Sequence, residues 1–152
     1  MSSQSLIAQI ADAVVTDLNA AGTEFEGEFT AERHYRPRFE VGNGDLDELR
    51  VSVVPRGISI EKATRAGDIH EVQVDVAVQQ KLPPEADDSP AAIDMLMRTV
   101  QQIADHMRGR RLSAFEEAAW RRIENEPIYA VDHLDELRVF TSVLTLTYRV
   151  LR

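Results

Sequence analysis

Four valines in strict alternation constrain this chain more than any other feature. In IHEVQVDVAVQQKL, residues 69–82, Val72, Val74, Val76 and Val78 alternate with Glu71, Gln73, Asp75 and Gln79. A period of two puts one set of side chains on each face of a strand, so this segment packs one face on a core and leaves the other wet. The last segment, RVFTSVLTLTYRVL, residues 138–151, repeats the pattern with Phe140, Leu144, Leu146, Tyr148 and Val150 on one face. Its other face carries Val139, Thr141, Val143, Thr145 and Thr147. Both faces are rather apolar, which predicts a central position in the sheet. Fourteen residues of strand span about 46 Å at about 3.3 Å each, whereas a domain of this length has a radius of gyration near about 15 Å. Such strands either twist strongly, or project a hairpin whose free edge pairs with a neighbour, or are shortened by bulges.

The rest of the chain supplies the other elements. Leu6, Ile7, Ile10, Ala11, Val14, Val15 and Leu18 recur on one helical face, with Ser3 or Ser5 to cap the start and Gly22 to end it. Gln4, Gln9, Asp12, Asp17 and Asn19 are expected to face solvent or a partner. FTAERHYRPRF, residues 29–39, alternates as a half-buried strand, and Pro37 makes it an edge. Residues 40–48 read as a polar loop. LRVSVVP, residues 49–55, and ISIEKATR, residues 58–65, read as two strands joined by a turn at Pro55-Arg56-Gly57. With a second turn at Ala66-Gly67-Asp68, they and residues 69–82 form an antiparallel meander. A stiff acidic linker, residues 83–88, precedes a helix capped by Ser89 with Pro90 at its first position. Its apolar face is Ile93, Leu96, Met97, Val100, Ile103, Ala104 and Met107, and Gly109 ends it. Residues 119–124 read as a short strand or a helix end around Trp120, residues 126–129 as a loop, and residues 132–134 as the start of a helical turn. The expected fold class is α+β: a mixed, mostly antiparallel sheet with two main helices packed on it, in one domain spanning residues 1–152.

At 152 residues the chain fits one domain, large enough to bury roughly 70% of its unfolded surface without a disulfide or metal staple. It has no cysteine, which excludes disulfides, thiolate zinc sites, iron–sulfur clusters and cysteine nucleophiles. The N-terminal residues lack the basic start and continuous apolar run of a signal peptide, and no stretch reaches the length of a membrane span. A protein made in the cytoplasm is the expectation. The net charge is −9, and residues 1–48 carry −7 of it, with 10 acidic and 3 basic side chains. That balance opposes phosphate-driven binding to nucleic acid, although an acidic surface suits a conduit through which DNA slides. Fifteen of the 17 basic residues are Arg; either genome composition or interface chemistry accounts for this, since Arg pairs bidentately and stacks.

No catalytic constellation emerges. His34, His70, His106 and His133 show none of the local metal-ligand spacings. Asp105-His106 and Asp132-His133 are sequence neighbours whose side chains diverge. Gly42-Asn43-Gly44 lacks the third glycine and following helix of a phosphate cradle, and Ser113 and Ser142 sit in no nucleophile elbow. Asp45, Asp47 and Glu48 lack the spacing and closing Glu of a calcium loop. Arg108, Arg110 and Arg111 form a basic cluster at a helix C-terminus, where a structural role is the default. Trp120 and Tyr129 are candidates either for interface anchors or for core packing. Neither a metal nor a cofactor is expected.

FTAERHYRPRF, LRVSVVPRG, VQVDVAVQQKL, IDMLMRTVQQIADHMRGRRL, ENEPIYAVDHL and RVFTSVLTLTYRV, in that order, resemble phage tail terminator or tail completion proteins of the neck. The likeness covers residues 5–150 and rests on patterns of strands and loops. It implies a mixed sheet flanked by helices and a ring, commonly of six copies, at the head-proximal end of the tail tube. Such a ring stops tube growth and docks the head. The implied partners are further copies of the chain, the tail tube protein and neck or connector proteins, with DNA passing through the lumen without specific binding, no membrane, and a place in the virion. Residues proposed for the lumen or interfaces are Asp45, Asp47, Glu48, Asp87, Asp88, Arg110, Arg111 and Trp120. The nearest alternative is a head-closure or connector protein; a small ligand-binding domain or enzyme needs a convergent polar pocket that the sequence does not announce.

Overall fold

The computed structural model describes residues 4–22, 25, 27–35, 48–82, 89–134 and 138–152. Two helices lie on one face of a five-stranded sheet. In chain order the elements are α1 (Leu6–Ala20), β1 (Ala31–Arg33), β2 (Arg50–Thr64), β3 (Gly67–Lys81), α2 (Ser89–Met107), β4 (Ala119–Glu124) and β5 (Val139–Leu151). The strands are ordered β1-β2-β3-β5-β4 across the sheet. β1 runs parallel to β2, and every other pair is antiparallel. The expected α+β class and mixed, mostly antiparallel sheet are what the chain forms, and β5 lies inside the sheet between β3 and β4, as its two apolar faces predicted, with β3 at the middle.

α1 starts where Ser5 Oγ accepts the Ala8 N–H at 3.4 Å, which satisfies one of the orphan donors of the first turn. Its buried stripe of Leu6, Ile10, Ala11, Ala13, Val14 and Leu18 meets the sheet. Of the polar residues expected at the surface, Asp17 turns inward, and Asn19 stays exposed while serving a structural task. Asp17 is buried and accepts a 2.6 Å hydrogen bond from Ser113 Oγ. Asn19 hydrogen-bonds both backbone groups of Ala31. α2 ends at Gly109, whose φ of +69° is the left-handed conformation that closes helices.

The core lies between the helices and one face of the sheet. Val51 and Val53, then Val72, Val74, Val76 and Val78, then Phe140, Leu144, Leu146, Tyr148 and Val150 bury against Ile10, Leu18, Leu96, Ile103 and Met107. The alternation read in the sequence is thus the alternation of the fold.

One expectation is overturned. Pro55-Arg56-Gly57 is not a turn, and residues 49–65 are not two strands. β2 runs unbroken from Arg50 to Thr64, with Arg56 inserted as an extra residue between the Pro55–Val74 and Gly57–Gln73 pairs. The three-strand meander is therefore one long hairpin with a bulge. The proline is tolerated because, among the described residues, β1 pairs only with Val51–Val53 and no strand pairs with β2 at residue 55 on that side. The strand expected over 29–39 is described only as Ala31–Arg33; Pro37 and the acidic linker 83–88 lie outside the described residues.

Candidate assembly surface

The sheet has two halves. In the half near β1, the β5 edge beyond β4 is strapped by residues 125–134. Asn125 Nδ2 donates to Val143 O at 2.8 Å and Ser142 Oγ at 3.0 Å, Ala130 N donates to Thr141 O at 2.9 Å, and His133 Nδ1 lies 2.8 Å from Thr141 Oγ1. Residues 131–134 form the helical turn expected there. In the distal half the sheet is β2-β3-β5-β4, and both of its outer strands lack a strand partner among the described residues. Every described residue of β2 from Ile58 to Thr64 is exposed. Ile58 is 44% exposed, Ile60 57% and Leu151 70%. β5 accompanies β3 to its first residues, since Arg152 N donates to Asp68 O at 3.0 Å, so what projects is the β2-β3 hairpin with β5 alongside.

The pairings place the two free edges at one height. Ile58 pairs with Val72, Val72 with Tyr148 and Tyr148 with Trp120. In the same way Ser59 aligns with Ala119, Gly57 with Arg122, Pro55 with Ile123 and Val54 with Glu124.

The face of the distal half turned away from the helices is polar. Asp75 Oδ1 accepts from Thr145 Oγ1 at 2.8 Å and lies 3.5 Å from Arg56 Nη1. Arg122 spans β4 to β3, with Nη1 3.3 Å from Glu71 Oε1 and Nε 2.9 Å from Glu124 Oε1. These pairs are half-exposed, so each is worth about 0–1 kcal/mol to folding. On the helix side, a groove of about 570 Å³ runs between α2 and β4, with Met97, Ala104, Trp120, Ile123 and Leu144 among its walls.

The residues singled out by sequence fall out as follows. Trp120 is half-buried against the core, and its indole Nε1 is buried without a hydrogen-bond partner among the described residues. Tyr129 packs on Phe140 with ring centroids 6.2 Å apart. Arg110 Nε donates to His106 O at 3.1 Å, which supports the structural role at the end of α2, and Arg111 is exposed. Glu48 is exposed, with Oε2 3.8 Å from Arg50 Nη2. Asp45, Asp47, Asp87 and Asp88 lie outside the described residues. Sequence reasoning missed Arg56, Arg122, Ile58 and Ile60. Alternation placed Glu71 and Asp75 on a wet face, but nothing in the sequence said which arginines would cross strands to meet them.

Among the described residues no helix is long and apolar enough to cross a membrane, and no three His, Asp or Glu side chains gather as a metal site. At the centre of the sheet Tyr148 is fully buried. Burial, with the Asp17 carboxylate adding to it, pushes its hydroxyl above the ordinary phenol range, so it remains a neutral core residue.

Neither a comparison with protein families nor a search of curated proteins finds a match for the sequence. Among solved structures, a chain of the virion of a native gene transfer agent particle has a similar fold. Its TM-score is 0.55 at 12% identity, and the match covers 98% of this chain and 100% of that one. The likeness therefore concerns the fold over nearly the full length of both chains and not a shared fragment.

Proposed function

We propose that this chain is a structural subunit of a tailed-phage-like virion: a tail-terminator-type protein whose copies form a ring on the head-proximal end of the tail tube. The ring stops tube growth and presents a surface to the head or neck. The observation that carries the reading is the end-to-end fold likeness to a virion subunit, joined to a sheet whose distal half has two outer strands without a strand partner among the described residues. Head-to-tail contacts between identical subunits close into a ring when the rotation fits, and closure removes the sites for further addition. The net charge of −9 suits a passage that DNA must traverse without sticking. Six copies, the tail tube protein and a neck protein are the partners proposed. The chain makes and breaks no bond in this role.

Electron micrographs of particles that lack this protein test the reading. Over-long tail tubes are the expected result. Tails of normal length beside unattached heads would instead assign the chain to head closure or connection, and normal joined particles would contradict a structural role in the neck.

A further inference from the structure

We infer that neighbouring copies join through the sheet itself: β4 of one copy pairs antiparallel with the free edge of β2, residues 54–61, of the next. The four-stranded distal segments then make one continuous antiparallel sheet around the assembly. This rests on the ring reading and adds to it the strands that form the contact.

The first argument is direction. β2, β3, β5 and β4 alternate in direction across the distal half. With an even number of strands, the two edges run opposite ways, so a neighbour related by simple rotation brings β4 against β2 antiparallel. β1, the one parallel strand, ends opposite Val53, and no strand among the described residues covers this edge beyond it.

The second is height and length. The free edges lie level, Ile58 with Trp120 and Ser59 with Ala119, so copies in one plane meet edge to edge. Each edge also carries one bulge, at Arg56 in β2 and Arg121 in β4. Residues 54–59 and 119–124 therefore both take six residues to span Glu71–Asp75 of β3, and the two edges stay in step.

The third is side-chain chemistry. On the helix side, exposed Ile58 lies level with the neighbour's Trp120 and Pro55 with its Ile123, apolar against apolar, and Ile60 carries the apolar edge one step beyond β4. On the wet face, the guanidinium of Arg56, the bulged residue between Pro55 and Gly57, reaches Asp75, which is level with Glu124 on the neighbour's edge. A stagger of two residues, such as a tilted ring imposes, preserves these faces. An exposed edge with two isoleucines is otherwise an invitation to indiscriminate pairing.

Amide hydrogen exchange on the wild-type chain, free and assembled, reads the contact without assuming a register. We expect exchange over both 54–61 and 119–124 to slow at least tenfold on assembly. Because the chain has no cysteine, single variants Ser59→Cys and Ala119→Cys then report polarity: oxidation of their mixture gives the mixed dimer, and neither variant alone cross-links. Assembly with unchanged exchange at both edges, protection of only one edge, or self-linking of Ser59→Cys would overturn the sheet contact and leave the ring reading standing. A chain that never assembles, even on tail tubes, would remove both.

Discussion

The side-chain amide of Asn19 grips Ala31 at two points: Oδ1 accepts from Ala31 N at 2.8 Å, and Nδ2 donates to Ala31 O at 3.1 Å. The last turn of α1 thereby holds β1 in place beside β2, and Arg33 adds a 2.8 Å ion pair to Asp12 on the same helix. This clamp fixes β1 against Val51–Val53 of β2, beyond which β2 has no strand partner on that side among the described residues.

Replacing Asn19 with Ala is expected to cost about 1–2 kcal/mol of stability, the net worth of two hydrogen bonds. Urea unfolding measures it, and amides over 51–53 of β2 should exchange faster in the variant because their cover on β1 has loosened.

The buried phenol makes stability fall at high pH. An unfolded tyrosine ionises near about pH 10, whereas burial keeps the Tyr148 hydroxyl protonated well beyond that in the folded chain. Above about pH 10 only the unfolded state releases this proton, so the stability contribution is complete below that pH and is lost as pH rises past it. Denaturation of wild type and Tyr148→Phe from about pH 8 to about pH 11 should show a steeper alkaline decline in the wild type. The hydroxyl has no hydrogen-bond partner among the described residues, so at neutral pH the variant should be as stable as the wild type or more so.

A Cβ at Gly67 would sit 2.9 Å from the Arg152 carbonyl oxygen. Gly67→Val should therefore push the end of β5 off the hairpin, at a cost of at least about 1 kcal/mol. Faster exchange at Asp68 and Arg152, with the core amides of β3 unchanged, is the expected signature.

Arg56→Ala should hardly alter folding, within about 0.5 kcal/mol, because its guanidinium is half-exposed and its Asp75 contact is long. If the edge of β2 joins copies, the same variant weakens assembly measurably. Comparing its thermal unfolding with its sedimentation separates the two effects.

Much of the fold was legible because its signals are periodic. The valines of β3, the apolar stripes of α1 and α2 and the two faces of β5 each declare a period, and each stands where that period put it. Pro55-Arg56-Gly57 misled because the same three residues serve a turn or an edge bulge; the choice depends on whether β1 covers the strand there, which is a tertiary fact. Asp17 departs from its outward expectation because helical spacing cannot foresee Ser113 arriving beside it, whereas Asn19 is exposed as its position predicts and still finds the Ala31 backbone. The assembly surface was half visible: strand length forecast a hairpin with free edges, but the shared height of Ile58 and Trp120 arises only from the register of four strands.

Native mass measurement of the chain over a range of concentrations, with and without isolated tail tubes, bears most directly on the central claim. A closed ring of fixed copy number, six by resemblance, either free or seated on one end of the tube, is the predicted species. A chain that stays monomeric at every concentration and leaves tube ends bare would contradict it.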